Sequence, residues 1–341
     1  MGTFIEFALP IFKTISILIL IVAYLVWLER KVAAKMQSRI GPYLVGKPHG
    51  LLQPLADALK LMLKDDSSPK NSDRLLFNFG PIWVMVVSLA SFALLPFIFD
   101  NQMINTNLAL MLFIAISSLI IVGIFIAGWS SNNKFALISV IRIIAQIISY
   151  EIPLIITLLV PCIIMGSLGF SEIISYQKNS WFIFYPIIGQ ITFIIFFISS
   201  LAEGNRIPFD LSEAESELVS GYTTEYSGIK FALFYLAEYV HLFGISVLGS
   251  IIFLGGPNGF FFESNFLIII KALILFTVVL FVRWSFFRIR IDQLLKFNWN
   301  NLIPISFLLL LASCFLKYYK RIFCHTTEMF LLVLNAKYLL I

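Results

Sequence analysis

The chain has 341 residues, 60% of them hydrophobic and only 13% charged. Soluble domains carry about a quarter charged residues, and no sphere of this size hides so much apolar surface, so a soluble fold is excluded and lipid must be the solvent. The formal net charge of +5 would suit nucleic acid, but the basic residues border apolar stretches, where head groups and topology account for them.

A helical span needs about 20 apolar residues. Such segments fall near 7–28, 80–99, 108–130, 145–166, 181–202, 231–254, 266–284 and 301–316. The first is interrupted by Lys13, Thr14 and Ser16, and the last is short. The predicted architecture is all-α: a polytopic membrane protein with about eight transmembrane helices plus an amphipathic interfacial helix, in one integral domain over 1–316. No basic stretch precedes the first span, and Glu29, Arg30 and Lys31 follow it, so no cleavable signal peptide is expected.

Charge placement orients these spans. Nine basic residues lie between Arg30 and Arg74, after span one. Lys134 and Arg142 follow span three, Arg206 and Lys230 follow span five, and Arg283, Arg288, Arg290 and Lys296 follow span seven. The positive-inside rule puts these loops on the cytoplasmic or matrix side and both termini opposite. All the long loops then share one side, either as a docking surface for a soluble partner or simply as the side where loops fall. No internal repeat relates the halves, which counts against a secondary transporter.

In chain order, the first polar group is Glu29-Arg30-Lys31, followed by Arg39-Ile40-Gly41-Pro42. These arginines suit either a quinone head group or an acidic partner, or anchorage at lipid phosphates. From His49 to Asp66 an apolar stripe (Leu51, Leu52, Leu55, Leu59, Met62, Leu63) opposes Gln53, Asp57, Lys60 and Lys64, with Pro54 at the first turn. Such a segment lies in the membrane interface, as a plain surface helix or as one wall of an entrance for a lipid-like substrate. Glu151 stands about two turns inside span four, where a charged carboxylate costs roughly 2.5–3.5 kcal/mol. It is either a proton relay or a neutral or paired carboxyl that merely packs. Glu238, in span six, invites the same two readings.

The densest polar stretch runs from Leu201 to Tyr226. It holds Glu203, Asp210, Glu213, Glu215, Glu217 and Glu225, six of the 19 acidic residues. Pro208 and Asp210 resemble a helix start, and spacings of three and four would align Asp210, Glu213 and Glu217 on one face. Clustered carboxylates raise one another's proton affinity, as a proton-accepting funnel requires. The alternative is an acidic, solvated loop, with Arg206 as partner of Glu203 or Asp210. Cys162, Cys314 and Cys324 show no CxxC spacing, and His49, His241 and His325 offer no paired axial ligands, so no metal or haem is expected.

Several segments together resemble subunit 1 of respiratory complex I, the proton-pumping NADH:ubiquinone oxidoreductase, whose bacterial counterpart is its H subunit. They are Glu29 to Lys31, Arg39 to Pro42, Gly50 to Lys60, Ala127 to Ser131, Ser149 to Glu151, Asn205 to Asp210, Glu213 to Tyr226, and Asp292 to Leu295. The resemblance implies an eight-helix subunit joining a peripheral and a membrane arm. It implies a ubiquinone tunnel formed by span one, the interfacial helix and span six. Arg30 and Arg39 lie along it, with Glu29, Asp57, Lys60 and Arg283 beside it. It also implies an acidic path through Asp57, Asp65, Asp66, Glu151, Glu203, Asp210, Glu213, Glu215, Glu217, Glu225 and Glu238, with Arg206 among them.

The same resemblance implies that ubiquinone is a substrate, that flavin and iron–sulfur clusters belong to partner subunits, and that the isolated chain has no activity. Its partners are then the peripheral-arm subunits at the terminal iron–sulfur cluster and quinone head-group site, neighbouring membrane-arm subunits, and lipid. Some positions depart from the family. The Val45–Gly50 loop is one residue longer than the usual pattern, Asp65 stands where Glu is commoner, Gly204 where Thr is usual, and Phe287 where Pro is usual. Residues 317–341 have no counterpart and read as an interfacial or subunit-binding extension. The absence of a presequence and the 35 Phe residues suit an organelle-encoded protein of the mitochondrial inner membrane, with a bacterial inner membrane as the alternative. The rival functions are an ion-coupled secondary transporter and a structural anchor for a soluble redox arm.

Overall fold

A computed structural model describes residues 2–96, 106–211, 219–259 and 263–319, with side chains from residue 12 onward. The chain forms α1 (Gly2–Met36), α2 (Gln53–Met62), α3 (Arg74–Ser91), α4 (Ala109–Ser130), α5 (Lys134–Met165), α6 (Phe170–Tyr176), α7 (Ile188–Glu203), α8 (Gly228–Phe253), α9 (Asn265–Ser285) and α10 (Ile291–Tyr319). Among the described residues the sole extended pairing is a bridge between Asn258 and Glu263. Seven of these helices are long and apolar enough to cross a membrane, so the fold is an all-α multi-pass membrane protein.

The remaining apolar helix, α7, has 16 residues, about 24 Å at 1.5 Å per residue, against a hydrocarbon core of about 30 Å. The apolar run here begins near 181, but the chain first makes a 3-10 turn at Phe182–Phe184. Pro186 has no amide hydrogen to donate, and Ile187 is left-handed at φ 64, so the helix starts only at Ile188. At the other end of the chain, α10 starts ten residues before the predicted 301. Asp292 and Lys296 break the apolar run without breaking the helix, because Leu294 and Asn298 are buried against the bundle and Asn298 Nδ2 donates to Ser149 O at 2.6 Å.

Helix α8 is the axis of the bundle. It packs against α1, α2, α3, α7 and α9, and every residue from Tyr239 to Phe253 is buried. Burial on every side over this stretch puts it at the centre of the bundle. Its hydroxyls fold back, with Ser246 donating to Leu242 O and Ser250 to Val247 O. Helices α3 and α4 close tightly because Gly123 lacks a side chain: a Cβ there would sit 2.5 Å from Val84 Cγ2. Helix α5 is long enough, at 32 residues, to project beyond the hydrocarbon layer, and it stops at Gly166, whose φ of +87 few other residues adopt.

Helix α2 differs from the rest. None of its residues is buried. Leu55, Leu59 and Met62 are exposed, so its apolar stripe is uncovered by this chain. Pro54 occupies the first turn, as its fixed φ favours.

Candidate functional site

Two buried polar clusters flank α8 near its N-terminal half. The first is built on Glu29, in the second half of α1 and only 7% exposed. Arg283 from α9 and the Tyr239 hydroxyl from α8 both donate to its carboxylate. Arg206 Nη1 lies 3.9 Å from it, and the Arg206 guanidinium stacks 4.6 Å from the Tyr239 ring. Arg206 is held there by the loop after α7, where its amide donates to Leu201 O and its carbonyl accepts from Phe209 N. A buried carboxylate survives only with such donors.

Toward the surface the next residue, Arg30, turns to α2 and pairs with Asp57 at 2.6 Å. Gln53 Nε2 steadies that carboxylate at 3.1 Å. Just past α2, Lys230 pairs with Asp66 at 2.7 Å and Ser227 donates to Asp65 O at 3.1 Å. Exposed pairs contribute at most about 1 kcal/mol each, so these position α2 against α1 and α8 more than they stabilise it.

The second cluster lies on the opposite side of α8. Glu203, at the end of α7, is 8% exposed and meets His241 Nε2 at 3.4 Å. Glu238, one turn before His241 on the same helix face, accepts from Tyr222 Oη at 2.9 Å. Gln146 of α5 donates to Ala202 O at 2.7 Å and to Asn205 Oδ1 at 3.3 Å. A small cavity of about 30 Å³ touches Glu203, Glu238, His241, Tyr222 and Asn205. Glu151 of α5 lies close enough for its charge to oppose that of Glu203.

The predicted residues therefore divide. The fold joins Glu29 to Arg206 and Arg283, Arg30 to Asp57, and Glu203 to Glu238 across one cavity. Asp210 is buried in the loop after α7. Glu225 accepts from Asn133 Nδ2 at 2.7 Å, at the mouth of α5. Beside it Tyr226 stacks on Phe77 at 4.1 Å and donates to Ala127 O; burial pushes its hydroxyl up to about 12, so it remains a donor at neutral pH. Arg39 is exposed and bonds its neighbour Gln37 at 2.6 Å, and Lys60 is exposed on α2. Glu213, Glu215 and Glu217, with the helix expected there, lie outside the described residues.

The sequence reading missed Gln146, Tyr222 and the pairing role of His241. The signal for His241 was its place one turn from Glu238 inside an apolar span. It also missed Lys271, whose ammonium donates to the carbonyls of Leu254, Gly256 and Asn258 at 2.6, 2.8 and 2.7 Å and lies 4.3 Å from the Trp181 ring. A lysine within the apolar run of span seven was the available clue. The glycine at 204 has a local reason, since a Cβ there would fall 2.1 Å from Leu242 Cδ2. Leu242 fills the space a threonine would need.

Ionisable groups buried between spans, paired across three or more helices, mark a membrane protein that handles charge within its bundle. The match to known sequences narrows that class. A family model described as NADH dehydrogenase matches residues 9–314. The chain is 40% identical over 304 residues to the H subunit of the NADH-quinone oxidoreductase of Dehalococcoides mccartyi, covering 89% of this chain and 83% of that one. It is 45% identical over 299 residues to the H subunit from Bacillus cytotoxicus (86% and 88% covered) and 44% identical over 306 residues to that from Geobacillus thermodenitrificans (87% and 90% covered). The chain belongs to the NADH dehydrogenase family that these proteins represent.

Proposed function

We propose that this chain is the membrane subunit of a proton-pumping NADH-quinone oxidoreductase, lining part of the quinone path and opening the proton path that quinone reduction drives. The observation that carries this reading is the run of the family match, 9–314, through every buried charge in both clusters. Quinone enters from the bilayer beside α1 and α2, whose exposed apolar stripe suits an isoprenoid tail. Arg30, Arg39, Glu29, Asp57, Lys60 and Arg283 border its route. Its reduction takes place in a partner subunit that holds the redox centres, so the isolated chain has no activity.

The charge change on reduction alters proton affinities along Asp65, Asp66, Glu225, Asp210, Glu213, Glu215, Glu217, Glu203, Glu151 and Glu238, with Arg206 as the cationic counterpart. The basic loops face the matrix of a mitochondrion, or the cytoplasm of a bacterium, and dock the peripheral arm. The expected result is that Glu151→Gln and Glu213→Gln in the assembled oxidoreductase, reconstituted in vesicles, lower protons pumped per NADH oxidised while assembly persists. Unchanged turnover and pumping in both variants would sink the proton-path reading. Arg39 has a second reading, favoured by its exposure and its bond to Gln37: it anchors α1 at lipid phosphates. Arg39→Ala then leaves turnover normal with both short- and long-tailed quinones, whereas a tunnel residue would impair it.

A further inference from the structure

The Glu203 cluster holds a group that the acidic path does not use. His241 is 7% exposed, in the fully buried part of α8. Its Nε2 faces Glu203 Oε1 at 3.4 Å. Among the described residues its Nδ1 has no hydrogen-bond partner, and neither has Glu203 Oε2. Orphaned buried polar atoms of this kind are uncommon and call for an explanation. The cavity they border encloses about 30 Å³, and one water needs roughly 10–15 Å³ of such volume with two or more polar partners. The groups facing it are Glu203 from α7, Glu238 from the same helix as His241, and the Tyr222 hydroxyl, which already donates to Glu238 Oε1 at 2.9 Å. Glu151 acts on Glu203 from α5 through its charge.

Resting on the proton-path reading above, we propose that His241 is the proton-relay residue between Glu203 and Glu238, working through one or two waters in this cavity. The protonated Glu203 carboxyl gives its proton to Nε2, making a transient imidazolium. That imidazolium releases its Nδ1 proton to the cavity water, and the water passes a proton to the Glu238 carboxylate. The balance is one proton moved from Glu203 to Glu238, with Glu203 left ionised and the imidazole left in its other tautomer. Return of the proton to Nδ1, or rotation of the ring, resets the relay. A carboxylate pair alone would leave this step to the water. Imidazole, with one ring nitrogen to accept a proton and the other to release one, spans the gap.

The test uses the assembled oxidoreductase in vesicles. His241→Gln and His241→Asn each retain a hydrogen-bonding group for Glu203 but cannot shuttle a proton. Either variant that assembles is expected to lose roughly a hundredfold or more of its coupled proton pumping, the low end of what a positioned acid–base group supplies, and to flatten the pH profile of pumping with the quinone KM unchanged. Normal pumping and an unchanged pH profile in either variant overturn the relay. If Glu203→Gln still abolishes pumping in that case, the proton path survives without His241; if Glu203→Gln and Glu151→Gln are also silent, the path itself falls. The parent complex supplies a second check. With isotope-labelled histidine, its infrared difference spectrum on quinone reduction should contain an imidazole tautomer change that the His241→Gln complex lacks, and its absence overturns the proposal.

Discussion

The two polar clusters beside α8 both join carboxylates to a tyrosine, but the first adds two arginines and the second a histidine. Around Glu29, donors outnumber acceptors: Arg283 and Tyr239 bind one carboxylate and Arg206 stands 3.9 Å away. Around Glu203 acceptors prevail: Glu203 meets a histidine, Glu238 meets a phenol, and Glu151 lies near enough to Glu203 for their charges to interact. A carboxylate between guanidinium groups is fixed in its ionised form, because removing its charge would strand two buried cations. Crowded carboxylates raise one another's proton affinity and take up protons as a coupled set. The first cluster thus holds fixed, compensated charge, and the second gathers the carboxylates to which our proposal assigns proton transfer.

Substitutions test that contrast, beginning with the largest expected effect. Glu29→Leu removes the acceptor that Arg283 and Tyr239 share, and should cost about 3–5 kcal/mol, the range for breaking a buried ion pair; thermal melting of the purified complex and its assembled yield report it. Tyr239→Phe keeps the ring under Arg206 but withdraws one donor from a charged acceptor, and should cost about 1.5–3 kcal/mol in the same melts. Glu203→Gln should cost only about 1 kcal/mol, since a neutral amide still meets His241, while protons pumped per NADH fall sharply. A loss of stability in Glu203→Gln equal to that of Glu29→Leu would erase the distinction between the clusters. Arg30→Ala sits at the small end. It breaks an ion pair that is 45% exposed on one side, so stability should shift by at most about 1 kcal/mol. A rise in KM for quinone in steady-state assays, at unchanged melting temperature, would attach Arg30 to the quinone route.

The fold was legible where the signal is local. Apolar runs near 108–130, 231–254 and 266–284 correspond to α4, α8 and α9, because lipid requires each backbone segment to satisfy its own hydrogen bonds as a helix. Hydropathy was weaker at element ends. It could not see that Pro186 and the left-handed Ile187 would delay α7, nor that α10 would run back through charged Asp292 and Lys296 by burying Leu294. The site was legible as a set of residues and illegible as pairs. Glu151, Glu203 and Glu238 stand out as carboxylates in or beside spans, but Lys271 was passed over because its partners are backbone carbonyls, which carry no sequence signature.

By itself, the sequence determined that this protein lives in lipid, which segments carry the charges, and the family to which it belongs. Those depend on composition and local order, and both are complete before the chain folds. The tertiary structure alone decided that Glu29 meets Arg283, 254 residues away, and Tyr239, 210 residues away, whereas Glu203 meets His241. Residues 239 and 241 are neighbours on one helix, yet they face different clusters, since each step along a helix turns a side chain by about 100°. Which way α8 is rotated among its neighbours is a matter of packing, and that rotation separates the Glu29 cluster from the Glu203 cluster.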